Sequence, residues 1–200
     1  CVGFTPNGQE IGINILDEAN YHIQPSTQFF NIQNGSGSIN GGASCTISLV
    51  NTVPIAMTVI QITPTPNLLI PSDEPFEDLN GNGTYDINEP FIDWNNNSQW
   101  SPMIEPIDLD ENWSFELSIH ETSLTVGITN WDQTLEVGPH NLFQVNYFVA
   151  EEAQLDDIIT LSTDVVLILD AWGNNGIPFV NGSGTVSIDN VLSSVESNLA

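Results

Sequence analysis

Lysine and arginine are missing altogether from the 200 residues, against 26 aspartates and glutamates, so the formal net charge is -26. With no cationic side chain but three histidines, no Lys or Arg ion pair can form, and a nucleic-acid backbone is repelled rather than neutralised. Nucleic acid is thereby excluded as a partner. Cysteine is almost absent: Cys1 and Cys45 are the two present. They could bridge in an oxidising compartment, or Cys45 could be a small buried strand residue with Cys1 free, lipidated or paired elsewhere. No run approaches the roughly 20 apolar residues of a membrane helix, no signal-peptide pattern occurs, and a mature chain is expected. Reaction motifs are lacking too. There is no Gly-x-Ser-x-Gly elbow and no His-Glu-x-x-His metal site, and His22, His120 and His140 are scattered. Gly35-Ser36-Gly37-Ser38 and Gly182-Ser183-Gly184 read as turns without the lysine a phosphate loop needs. The chain is expected to be no enzyme.

What is present is period-two alternation. Trp113, Phe115, Leu117 and Ile119 share one face against Ser114, Glu116 and Ser118, and the pattern returns in Phe143-Val145-Tyr147-Val149 and Cys45-Ile47-Leu49. Strands are expected over 11–16, 27–33, 43–51, 55–63, 66–70, 113–119, 122–129, 141–149, 158–168 and 183–188, punctuated by Gly, Asn and Pro. No helical stripe appears, although 151–157 could form one turn. Many short strands at this spacing predict an all-β, two-sheet antiparallel sandwich. The expected organisation is an N-terminal extension over 1–26 with a strand free to be donated, a sandwich over 27–190, and a linker over 191–200. Residues 71–106, dense in Asp, Asn, Glu and Pro, form a long insertion that something must organise.

That something is expected to be calcium. From Asp78 to Glu89 oxygen side chains occupy positions 1, 3, 5 and 9 of a twelve-residue loop (Asp78, Asn80, Asn82, Asp86). Gly83 stands at the turn, the Thr84 carbonyl at position 7, and Glu89 closes at position 12. Calcium takes six to eight hard oxygens, and only a tight loop lets alternate side chains converge on one ion. Glu74-Pro75-Phe76-Glu77-Asp78 then recurs as Glu89-Pro90-Phe91-Ile92-Asp93, opening a second loop through Asp93, Asn95 and Asn97. There Ser98 replaces the glycine, Ser101 replaces the acid, and Glu105 is the expected closing residue, one position late. The alternative is a degenerate repeat that packs Trp94 and Trp100 against the sandwich. A chain this acidic would also be relieved of self-repulsion by bound divalent cations.

The tandem of loops resembles those of dockerins and of acidic repeats in secreted bacterial surface proteins; the resemblance implies a calcium role for Asp78, Asn80, Asn82, Thr84, Asp86 and Glu89. From about Phe29 to Asn190 the chain resembles a cohesin-type, jelly-roll-like sandwich. The resemblance is carried by the stretch from Gly42 to Ala56, by Leu142 to Val149, and by Gly182 to Ile188. It implies an interaction module. Val191 to Ala200 is similar to the linker that precedes the sorting domain of type IX secreted proteins, implying an extracellular or cell-surface location. The expected function is a calcium-stabilised structural or assembly subunit that self-associates by strand addition, with Ile11, Ile13 and Ile15 on the donated strand. The alternative is a module binding another extracellular protein, such as dockerin, or carbohydrate, for which the five tryptophans could supply stacking surfaces.

Overall fold

The computed structural model describes residues 27–95, 97–130, 132–175 and 177–191, together with the backbone of 2–4 and 10–12. β1 (Val2–Phe4) and β2 (Glu10–Gly12) pair with each other as a separate two-stranded ribbon. The rest of the expected first strand, 13–16, lies outside the described residues.

The main body runs β3 (Gln28–Ile32), β4 (Gly35–Ile39), β5 (Gly42–Asn51), β6 (Ile55–Thr65), β7 (Leu69–Pro71) and β8 (Ile104–Pro106). It continues through β9 (Ser114–His120), β10 (Ser123–Thr129), β11 (Gly138–Val149), β12 (Ile158–Asp170), β13 (Phe179–Val180) and β14 (Ser183–Val191). Its ladder is ordered β13-β3-β5-β4-β14-β12-β6-β10-β9, while β11 joins the other side of β5 and carries β7 and β8. This is a two-layer β-sandwich without helices among the described residues. Where a helical turn was expected, 151–157 forms two turns, with N–H of Ala153 and Asp157 donating to Ala150 and Gln154 carbonyls.

Alternation becomes burial. In β5, Cys45, Ile47 and Leu49 point inward; in β6, Ile60 and Ile62; in β10, Leu124, Val126 and Ile128. Each fully buried aliphatic side chain contributes about 1.5–3 kcal/mol relative to exposure. Phe143, Val145 and Tyr147 of β11, which lies beside β5, complete the core. Cys45 is a free, buried thiol beside Tyr147, and Cys1, its partner in the bridge considered above, lies outside the described residues. Burial pushes the thiol up to about 12, only partly offset by the Tyr147 hydroxyl.

Two expectations are corrected. Gly35 to Ser38 is not a turn but strand β4, parallel to β14, and Gly184 is likewise inside a strand. A Cβ on Gly37 would stand 2.7 Å from the Ala43 Cβ, and one on Gly184 would meet Ile32, so these strands approach too closely for side chains. Second, of the alternating face Trp113 to Ile119, only Trp113 and Phe115 pack on the core. Leu117 and Ile119 are exposed: among the described residues β9 pairs only with β10 and forms an open edge of its sheet.

Candidate calcium-binding loops

The insertion interrupts one edge strand rather than joining two separate ones. β7 pairs with β11 through Pro71 opposite Tyr147, and β8 resumes with Ile104 opposite Val145, leaving Asn146 between them. Buried Asn146 ties both ends: its carbonyl accepts from Ser72 N–H (3.2 Å), its N–H donates to the Met103 carbonyl (2.8 Å), and its Nδ2 donates to the Pro102 carbonyl (2.6 Å).

Within the insertion the two Glu-Pro-Phe repeats face each other about a local two-fold axis. Glu77 N–H donates to the Pro90 carbonyl and Ile92 N–H to the Pro75 carbonyl, each at 2.8 Å, on either side of the Phe76–Phe91 bridge. Tyr85 and Trp100, which occupy equivalent loop positions, stack at 4.7 Å, with Phe76 edge-on to both. This aromatic cluster is the insertion's own small core. Trp94 instead reaches the sandwich, packing on Phe148 at 5.1 Å and against Gly42. Of the two tryptophans expected against the sandwich, only Trp94 is there.

In the first loop Asp78 accepts from Gly81 N–H (2.6 Å) and Asn82 N–H (3.2 Å) on one oxygen and from Gly83 N–H (2.8 Å) on the other. The Gly83 bond leads in holding this carboxyl below its usual range, with burial opposing it and the Gly81 and Asn82 bonds assisting. Gly81 and Gly83 have φ of 76° and 77°, which is what their lack of Cβ permits. Asn80 and Asn82 both donate side-chain N–H to the same Asp86 oxygen, at 2.6 and 2.8 Å. Glu89 spans the loop, accepting Leu79 N–H on Oε1 and Asp86 N–H on Oε2, each at 2.9 Å. Thr84 donates through both N–H and hydroxyl to Asn82 Oδ1, so its carbonyl, at position 7, is the group it could offer an ion.

The second loop repeats the design. Asp93 accepts from Asn97 N–H (3.1 Å) and Ser98 N–H (2.8 Å), and Asn95 and Asn97 both donate side-chain N–H to the Ser101 hydroxyl oxygen. Its closing acid is Glu74, not Glu105. Glu74 Oε1 accepts Trp94 N–H at 2.9 Å and Oε2 accepts Ser101 N–H at 2.8 Å, the same two positions that Glu89 serves in the first loop. Glu105 lies on β8 opposite Gln144 and is exposed, since the chain has already rejoined the sheet there. Burial raises the Glu74 carboxyl above its usual range, against hydrogen bonds from Ser101 and Trp94. The signal for Glu74 was the repeat itself: it stands to Asp78 as Glu89 stands to Asp93, and the two-fold makes each repeat's first residue the other loop's last.

These residues fit calcium. In each loop two amide groups converge on one position-9 oxygen, so both side chains reach the place where an ion would gather oxygens. Among the described residues no three acidic, imidazole or thiol groups gather tightly enough to hold a metal by themselves, so amide and backbone oxygens must complete the set.

No protein-family model matches the chain, and no curated protein matches it. Solved structures do. It is similar to the cohesin module of a family 33 glycoside hydrolase from Clostridium perfringens at 9% identity, over 82% of this chain and 98% of that one, with a TM-score of 0.54. A Clostridium acetobutylicum structure, 13% identical, covers 82% and 92% with a TM-score of 0.52. A type I cohesin–dockerin complex from Clostridium thermocellum covers 80% and 99% at 14% identity, with a TM-score of 0.52. At these identities the likeness is one of fold.

Proposed function

We propose that this chain is an extracellular, calcium-stabilised association module with no catalytic function, and that its subunits associate by strand addition. The observation that carries this reading is the open β9 edge. β9 has a partner on one side only, exposes Leu117 and Ile119, and has none of the lysines with which natural sheet edges are guarded. An edge strand of seven residues offers unpaired backbone groups to an incoming strand, with apolar side chains to select it. The segment beginning at β2 is the donor, which requires β2 to leave its partner β1.

Calcium has two tasks in this reading. Held by Asp78, Asn80, Asn82, the Thr84 carbonyl, Asp86 and Glu89, and in the second loop by Asp93, Asn95, Asn97, Ser101 and Glu74, it orders the insertion against Phe148. It also lowers the repulsion between subunits of like charge. The test compares the intact chain, the chain lacking residues 1–26, and Ile119→Lys by light scattering in millimolar calcium and in chelator. The intact chain should assemble only with calcium, and both variants should stay monomeric. Assembly of the truncated chain equal to the intact one eliminates the strand donor. Monomers throughout point instead to a different extracellular protein as partner, as in the cohesin–dockerin complex of similar fold.

A further inference from the structure

The open edge at β9 presents two unlike faces. Leu117 lies opposite Val126 and Ile119 opposite Leu124, both fully buried, and Phe115 on the same face packs edge-on against core Phe143 at 6.1 Å. The face carrying Phe115, Leu117 and Ile119 is therefore the core face of its sheet, left uncovered at the last strand. The other face carries Glu116, Ser118 and His120, all exposed. His120 is the one residue of β9 able to carry positive charge, and an imidazole keeps an N–H to donate in either protonation state.

The two-residue turn at Glu121 and Thr122 closes on His120 and Ser123, which in a hairpin of this length are a hydrogen-bonded pair. Alternation then turns the backbone N–H and C=O of Phe115, Leu117 and Ile119 to the open side. An incoming strand bonds to those residues and sets its side chains opposite both faces.

The donor segment beginning at β2 alternates in step, with Ile11, Ile13 and Ile15 at one parity and Glu10, Gly12 and Asn14 at the other. Two registers set all three isoleucines opposite Phe115, Leu117 and Ile119. The parallel one puts Gly12 opposite Glu116 and Leu16 opposite His120, so the outer face gains nothing. The antiparallel one puts Glu10 opposite His120, Gly12 opposite Ser118 and Asn14 opposite Glu116: an acid meets the imidazole, and an amide donor meets the acid. In a chain of net charge -26 without lysine or arginine, such complementarity is scarce. We propose, resting on the strand-addition reading, that the β2 segment of a second copy pairs antiparallel with β9 in this register, Ile11 opposite Ile119, and that Glu10 and His120 are the pair that select it.

The test is a cross-link that only one register permits. In the antiparallel register Gly12 and Ser118 are a non-hydrogen-bonded pair with Cα atoms about 4.5 Å apart, within the span of a disulfide; in the parallel one Asn14 lies opposite Ser118 instead. The full chain is used with Cys1→Ser, because β1 lies beside Gly12. After assembly in calcium, Gly12→Cys with Ser118→Cys should give a ladder of disulfide-linked chains on non-reducing electrophoresis, and Asn14→Cys with Ser118→Cys should not. His120→Glu should raise the protein concentration needed for assembly about five-fold, and Glu10→Lys added to it should restore assembly. Assembled protein in which the Gly12→Cys pair does not link, or assembly indifferent to His120→Glu, overturns the register and leaves strand addition standing. A link that closes within single chains overturns the second copy as occupant. Failure of the intact chain to assemble removes the strand-addition reading, and this register with it.

Discussion

The two loops of the insertion share a plan and differ in three parts. The first has glycine at its turn, an acid at position 9, and a closing glutamate from its own contiguous stretch; the second has Ser98, Ser101 and a glutamate reached across the two-fold. The second loop's glutamate is also the more buried, 2% exposed against 7% for Glu89. The first loop carries three acids and an exposed rim, so it is the one expected to gain more of its order from an ion. The second has two acids and is braced by Trp94 on the sandwich and by the buried Glu74, so much of its order is supplied by protein contacts. The comparison teaches that one repeat can divide into a half that rests on its own acids and a half that rests on packing while hydrogen-bonding alike.

The largest expected effect breaks the first half. Glu89→Gln should weaken calcium binding there by at least about 100-fold, since even supporting groups around a metal are worth 10- to 100-fold, while leaving a second binding step intact. Isothermal titration of the calcium-free protein resolves the two steps, and loss of both at once would show that the loops are one site. Glu74→Gln attacks the other half. It leaves one of Trp94 N–H and Ser101 N–H without its anionic acceptor, at about 1–3 kcal/mol, and so should lower the melting temperature even in chelator, where Glu89→Gln should lower it less.

Acid sharpens the contrast. In calcium-free protein, Asp78 has a folded pKa below its unfolded one, so its contribution is present above the unfolded value and is lost as pH falls through the folded value. Glu74 has a folded pKa above its unfolded one. Its carboxylate therefore weighs against folding at neutral pH, and that penalty is relieved as pH falls through the raised folded value. Chemical denaturation between pH 7 and 3 should show Asp78→Asn flattening the acid loss of stability and Glu74→Gln steepening it; the same change from both would refute the division. The smallest effect is repair. Ser98 sits at φ 62°, where a side chain is strained, so Ser98→Gly should stabilise the second loop by up to about 1 kcal/mol and bring its calcium affinity nearer the first.

What could be read from the residue order follows the same line. The closed turn from Asp78 to Glu89 was legible because the residues that hydrogen-bond within it are consecutive in the chain. Glu74 was not, because it acts across an axis that exists only once Phe76 meets Phe91, from the N-terminal side of the loop it closes. The sandwich was legible from the alternation of β5, β6, β10 and β11. Strand β4 was hidden because glycine and serine are there for the close approach of Ala43, a contact with no periodic trace. Leu117 and Ile119 carry the pattern of a core strand, and only the ladder order reveals that nothing lies over them.

Asn146 bears on how such a chain is put together. Since Pro71 and Ile104 pair with residues either side of it, everything from 72 to 103 fills a single position of the β11 ladder. A strand reading Leu69, Ile70, Pro71, one linking residue, Ile104, Glu105 and Pro106 would run unbroken along the same partner. The insertion therefore enters and leaves the scaffold through one rung, and what seats it on the sheet beyond that rung is the packing of Trp94 on Phe148.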